Sequence, residues 1–225
     1  MSSTPVDYDL DPADRRPAWD RTWEVASPDW DATGMRRIVA EDLSPVLDVG
    51  CGNGVLAESL PPRSRWIGLD SSPAQLAQAT AGRLVRADAR RLPFGDAVFG
   101  AVVCHWMLYH FDHPAEVITE AHRVLRPGGL FLASTSARIN DPELAPQGYP
   151  ATTFDAENAP AIAASVFGDQ AVEVEAWDGP YLLLPNAAAV QRYVRHHFLP
   201  PEAADSVTAP LTLTKRGCFV WARKH

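Results

Sequence analysis

A chain of 225 residues with 46% apolar and 21% charged residues can bury a full core, and at roughly 150 residues per domain it reads as one domain. Its net charge of −8 repels a polyanion, which argues against a nucleic-acid partner, and no apolar run nears the roughly 18 residues that would argue for a membrane span. Three widely spaced cysteines, Cys51, Cys104 and Cys218, form no Cys-x-x-Cys pair, which argues against a disulfide framework and a zinc site and for small buried side chains.

The first twenty residues are acidic and polar where a secretory signal would be basic and then apolar, so a cytoplasmic address is expected. Residues 1–44 read as a helical cap: a start rich in Trp, Arg and Asp, then a helix over residues 32–41 with Met35, Ile38 and Val39 inward. Val46, Leu47 and Val49 give the continuous apolar run of a strand buried on both faces, and it enters a turn with Gly50, Gly52 and Gly54. Glycines there let backbone approach a ligand closely. A short helix over residues 55–60 stops at Pro61, residues 65–70 form a second strand, and Ser72 with Pro73 caps a helix to about residue 81. Residues 83–88 make strand three and residues 99–105 strand four. Val117, Ile118, Ala121, Val124 and Leu125 mark a helix over residues 114–125 that Gly128 ends, and residues 130–135 make strand five. Residues 172–177 and 218–222 are the last strands, flanking a helix that Asn186 caps and that carries Val190, Tyr193 and Val194.

Alternating strands and helices predict an α/β fold: a single-domain, Rossmann-like, seven-stranded, mostly parallel sheet with helices on both faces. The core is residues 45–225, with lid insertions near 136–170 and 185–215. Ligands of such sheets sit beyond the carboxyl ends of the strands, where strand order switches. The glycine spacing is Gly-x-Gly-x-Gly; the third glycine of the dinucleotide fingerprint would fall at Val55, so a nicotinamide cofactor ranks second.

VLDVGCGNG, with Asp48 two positions before Gly50, resembles motif I of the class I S-adenosylmethionine-dependent methyltransferases. The resemblance covers about residues 46–135 and continues through Asp70, VRADARRLPFGDAVFGAV and RVLRPGGLFLAST, which match the small-molecule branch. It implies S-adenosylmethionine as cofactor, held by Asp48, Gly50, Cys51, Gly52 and Gly54. Asp70 and Ser71 would serve the ribose hydroxyls, Asp88 and Ala89 the adenine, and His105 would also face the cofactor. For Asp88, turn capping is a competing role. Two departures are Gly100, where relatives usually carry Asp, and the lack of an Asn/Asp-Pro-Pro-Tyr/Phe motif after strand four. The second argues against methylation of nucleobase or amide nitrogen.

The resemblance places residues 104–114, CHWMLYHFDHP, beside the transferable methyl group. Methyl transfer needs a nucleophile held in line, water excluded and, for a protonated acceptor, a base. His105 is the candidate base and Tyr109 a second catalytic candidate; pocket lining is the competing role for His105. His110 matches an architectural histidine of the family. His110, Asp112 and His113 are explained by the start of the next helix at Asp112 and Pro114 more simply than by a metal. Tyr8, Trp19 and Trp23, beside Arg15, Arg16 and Arg21, would close over the cofactor, and Arg192, Arg195, His196 and His197 would form a lid over an acidic or phenolic acceptor. The expected enzyme is a monomer or homodimer that methylates oxygen or nitrogen of a small molecule. Alternatives are a lyase or cyclase releasing methylthioadenosine, and a non-catalytic cofactor-binding protein.

Overall fold

The computed structural model describes residues 30–79, 82–197 and 199–225. Seven strands form one sheet: β1 (Val46–Val49), β2 (Trp66–Asp70), β3 (Arg83–Arg86), β4 (Phe99–His105), β5 (Leu125–Ser136), β6 (Val172–Leu184) and β7 (Leu211–Arg223). Their order is β3-β2-β1-β4-β5-β7-β6. β1 to β5 pair in parallel, and β7 runs antiparallel between β5 and β6. The direction of strand addition reverses between β1 and β4, so the two strands that border the switch end in the glycine turn and in His105. The expected mostly parallel architecture is therefore the one observed.

Apolar side chains fill both faces, as continuous apolar strands require. On one face α1 (Trp30–Ala40) buries Met35 and Ile38 against Val46, Ala101, Val103, Phe219 and Trp221. On the other, α3 (Pro114–Val124) and α4 (Ala159–Phe167) cover Leu47, Val102, Phe131 and Val220. A third cluster joins Leu144, Leu182 and Leu213 to Val190, Tyr193 and Val194 of α5 (Ala187–His196). Among the described residues there are also two single-turn helices, α2 (Pro73–Leu76) and α6 (Glu202–Asp205).

Several boundaries differ from expectation for identifiable reasons. Residues 55–59 form one 3-10 turn entered from Gly54 in the left-handed region. Ser72 does cap α2, its Oγ accepting from Gln75 N at 3.1 Å, yet the helix closes at Leu76 after a single turn. Helix α3 ends at Val124, ahead of Gly128. Pro127 disfavours helical backbone just before it, and Lys224 Nζ donates to the carbonyls of His122 and Leu125 at 2.7 and 2.8 Å, satisfying the helix end. The residue preceding Pro114 at the helix start is His113, without a side-chain capping bond, so Asp112 does not cap it. Strands β6 and β7 each run to 13 residues. Gly179 and Pro180 resemble a strand end in sequence but form a bulge between Pro180 and Leu182. Helix α4 lies within the 136–170 insertion; Asn158 and Pro160 were its available start signals.

Candidate functional site

The turn after β1 is held from below. Gly50 N and Cys51 N both donate to Leu69 O at the end of β2, at 2.7 and 3.0 Å, and Gly54 N donates to Cys51 O at 2.8 Å. Gly50, Gly52 and Gly54 have φ of 71, 53 and 78°, a region that costs side-chain-bearing residues strain. A Cβ at Gly50 would lie 2.9 Å from Met107 Cβ, whereas one at Gly52 would meet nothing nearer than Gln75 Oε1 at 3.6 Å. The turn is thus packed beneath Gly50 and bare at Gly52, where a ligand can lie on the backbone.

Asp70 fixes this turn to the start of α2. Its Oδ2 accepts from Gly52 N at 2.8 Å and its Oδ1 from Ser72 N at 2.9 Å. Each carboxylate oxygen keeps a second lone-pair direction, so the same group can accept from two vicinal hydroxyls. Ser71 between them is exposed, and its carbonyl accepts from Arg86 Nε at 3.2 Å. Asp48 is 2% exposed under the turn. Burial, with the charges of Asp48 and Asp70 adding, pushes the Cys51 thiol far above its ordinary range, so Cys51 packs as a neutral side chain and donates weakly to Gly52 O at 3.7 Å.

Asp88 and Ala89 follow β3. Arg90 N donates to Asp88 Oδ1 at 2.9 Å and its guanidinium spans both carboxylate oxygens, the shortest contact being 2.7 Å. The Arg90 hydrogen bond lowers the Asp88 pKa. Asp88 therefore performs the turn-capping role, at the rim of a surface groove with Arg91, Glu116 and Thr119, while Ala89 is buried.

At the end of β4, register pairs His105 with Ser134 of β5, and His105 Nδ1 lies 2.6 Å from Ser134 Oγ. The imidazole packs under α1: a Cβ on Gly34 would fall 2.9 Å from His105 Cε1 and 3.1 Å from Nε2. The Nε2 atom is shut from solvent and has no hydrogen-bond partner among the described residues. Next to it, Trp106 takes φ of 52° and its ring meets Trp177 edge-on at 5.8 Å. Tyr109 lies elsewhere: its ring rests on His110 at 4.5 Å and packs against the core cluster on the α3 and α4 face. His105 and Tyr109 are thus not brought against one another.

Burial lowers the His105 pKa to about 4 by disfavouring the imidazolium, and this sets a pH dependence. Between about pH 6.5 and pH 4 the unfolded chain takes a proton that the folded chain refuses, so stability is full above pH 6.5 and falls as the pH drops. The contribution amounts to about 3 kcal/mol. Urea denaturation at pH 7 and pH 4.5 should show a smaller acid loss in His105→Gln than in the parent chain; equal losses would contradict the burial of this ring.

Sequence reasoning did not single out Ser134, Gly34 or Met107, nor a buried polar group around Asp141, Tyr149, Tyr193 and Lys215. A glycine inside a helix was a usable signal for Gly34, since it costs about 1 kcal/mol against alanine unless something needs the space. Ser134 gives no such signal within an apolar strand. Tyr8, Trp19, Trp23, Arg15, Arg16 and Arg21 lie outside the described residues, as does most of the proposed cap. Among the described residues, no group of three His, Cys, Asp or Glu side chains is arranged to hold a metal, and no helix is long and apolar enough to cross a membrane.

Residues 47–133 match the family model of the methyltransferase domain. Over 103 residues the chain is 38% identical to the ubiquinone biosynthesis O-methyltransferase of Pseudomonas paraeruginosa, covering 41% of this chain and 44% of that one. Over 100 residues it is 41% identical to a probable S-adenosylmethionine-dependent methyltransferase of Mycolicibacterium smegmatis, covering 42% of this chain and 38% of that one. The match thus spans less than half the length of these curated relatives. A solved Bacillus halodurans protein shares the fold with a TM-score of 0.58 at 22% identity, over 86% of this chain and 98% of that chain.

Proposed function

We propose that this chain, whose residues 47–133 match the family model of the methyltransferase domain, is a class I S-adenosylmethionine-dependent methyltransferase that transfers the cofactor's methyl group to an oxygen or nitrogen atom of a small molecule. The observation that supports this most directly is the glycine turn at the strand switch, bare at Gly52 and tied by its own N–H to the Asp70 carboxylate. In this reading Gly50, Cys51, Gly52 and Gly54 border the amino-acid end of S-adenosylmethionine, with Asp48 beneath. Asp70 accepts from the ribose hydroxyls beside Ser71, and Ala89, next to the Asp88 turn, lies against the adenine. The bound cofactor supplies an electrophilic methyl carbon on a sulfonium. The chain's own residues then hold the acceptor in line and keep water out, the tasks that dominate this chemistry. His105 closes the end of β4 beneath α1, and Tyr109, packed on the other face, receives no catalytic role.

Products decide the reading. Incubation with S-adenosylmethionine and a panel of phenols, carboxylates and amines, followed by mass spectrometry, should give S-adenosylhomocysteine together with one methylated acceptor class. Methylthioadenosine in its place would assign a lyase or cyclase. Tight cofactor binding with no turnover across the panel would assign a non-catalytic binding protein.

A further inference from the structure

Resting on the cofactor reading above, we infer that Arg90 withholds the Asp88 carboxylate from the cofactor's base, so that this chain does not read the 6-amino group of adenine there and takes cofactors altered at that position. The reason is the number of acceptor directions left on two carboxylates. Asp70 receives one N–H on each oxygen, from Gly52 and from Ser72. An ionised carboxylate offers about four lone-pair directions, so Asp70 keeps two for hydroxyl groups. Asp88 keeps none by the same count. Its Oδ1 accepts from Arg90 N at 2.9 Å and from Arg90 Nε at 3.1 Å. Its Oδ2 accepts from the same Nε, shared, at 3.2 Å and from Arg90 Nη2 at 2.7 Å. Every one of these contacts comes from a single residue two positions along the chain.

The surroundings decide which donor the carboxylate takes. Arg91 N donates to Asp88 O at 3.0 Å, closing the turn that holds Arg90 N over the carboxylate. The guanidinium is charged and the exocyclic amino group of adenine is neutral, and the charged donor makes the stronger bond to a carboxylate. The pair is open to solvent, with 44% of the Asp88 side chain exposed, and such a pair adds little to stability; its effect is on the partner of the carboxylate. The groove that Asp88 and Arg90 line is bordered by Arg91 and by Glu116 and Thr119 of α3, and neither the glycine turn nor Asp70 lines it. Drawn toward that groove by Arg90, the carboxylate leaves buried Ala89 beside the base.

The consequence is one of specificity. A site whose acceptor needs a ligand N–H rejects an analogue without it, because the acceptor is then left unpaired. A carboxylate already matched by Arg90 loses nothing when that N–H is absent. Arg90 is then a positioning residue: it sets base selectivity through Asp88, without touching the base.

Calorimetric titration with S-adenosylhomocysteine and with its 6-deamino analogue, which carries purine in place of adenine and keeps every ring nitrogen, gives a ratio of two Kd values. The ratio is measured in the parent, in Asp88→Ala and in Arg90→Gln, and any damage to the turn that weakens both ligands alike cancels from it. The expected result is the same ratio in the parent and in Asp88→Ala. In Arg90→Gln, where the carboxylate is released, the analogue should bind weaker than S-adenosylhomocysteine by a ratio about tenfold larger, the size of a hydrogen bond to a charged group. A parent ratio about tenfold above that of Asp88→Ala would show that the carboxylate reads the amino group and would overturn the inference. An Arg90→Gln ratio equal to that of the parent would show that the guanidinium is not what withholds the carboxylate, and would overturn it as well. Failure of the parent to bind S-adenosylhomocysteine at all is a separate result, which refutes the cofactor reading itself.

Discussion

Asp141→Ala should lower stability by about 3 to 5 kcal/mol, the cost of removing one partner of a buried ion pair. Asp141 is fully buried and Lys215 is 4% exposed, with Lys215 Nζ donating to Asp141 Oδ1 at 2.7 Å and to Tyr193 Oη at 2.6 Å. Tyr193 and Tyr149 donate to Asp141 Oδ2 at 2.7 and 3.0 Å. Burial pushes the Tyr193 hydroxyl well above its ordinary range, and the Asp141 charge adds to the shift. Burial pushes the Lys215 ammonium below its own range although Asp141 pulls the other way. Removing the carboxylate takes the counter-charge from a buried cation and the acceptor from two phenols. Replacing both ends, in Asp141→Ala with Lys215→Met, should recover part of the loss, because an apolar pair needs no partner. Urea unfolding of the two variants measures this; a loss below about 1 kcal/mol in Asp141→Ala would mean that the group is not closed off from water.

The network fastens the insertion after β5 to β7 and α5. Asp141 N donates to Thr214 O at 3.0 Å, and Thr214 Oγ1 donates to Glu143 Oε1 at 2.6 Å. Arg216 N donates to Asn140 Oδ1 at 2.8 Å. This part of the insertion is therefore anchored to the sheet by buried polar bonds.

Asp70→Ala should weaken S-adenosylhomocysteine binding by about 1.5 to 3 kcal/mol, or roughly 10- to 150-fold in Kd. Two effects add. The ribose hydroxyls lose a charged acceptor, and Gly52 N and Ser72 N lose the carboxylate that holds the glycine turn against α2. Asp70→Asn, which retains one acceptor oxygen, should fall between the two. Calorimetric titration measures the series, and an affinity unchanged in the alanine variant would mean that β2 delivers a different residue to the cofactor.

The strands and the glycine turn were legible because parallel strands buried on both faces are short apolar runs, and because Gly50, Gly52 and Gly54 punctuate one of them. Asp70 was legible from its place at the end of such a run. What sequence concealed depends on the third dimension. The bulge at Pro180 let β6 continue through residues that look like a strand end. The polar group around Asp141 draws on residues up to 74 positions apart in the chain. The relation of Ser134 to His105 is one of register between β4 and β5, which residue types alone do not specify. Asp88 and its Arg90 partner show the converse case, a local i to i+2 pattern whose capping role sequence could weigh in advance.

The central claim is that the turn at Gly50 to Gly54, together with Asp70, holds S-adenosylmethionine. Titrating the protein with S-adenosylmethionine in a calorimeter, and analysing the same sample by mass spectrometry, tests it most directly. Saturable one-site binding with the cofactor recovered intact in the absence of acceptor is the predicted result. No binding would contradict the account and reduce the glycine turn to a structural element.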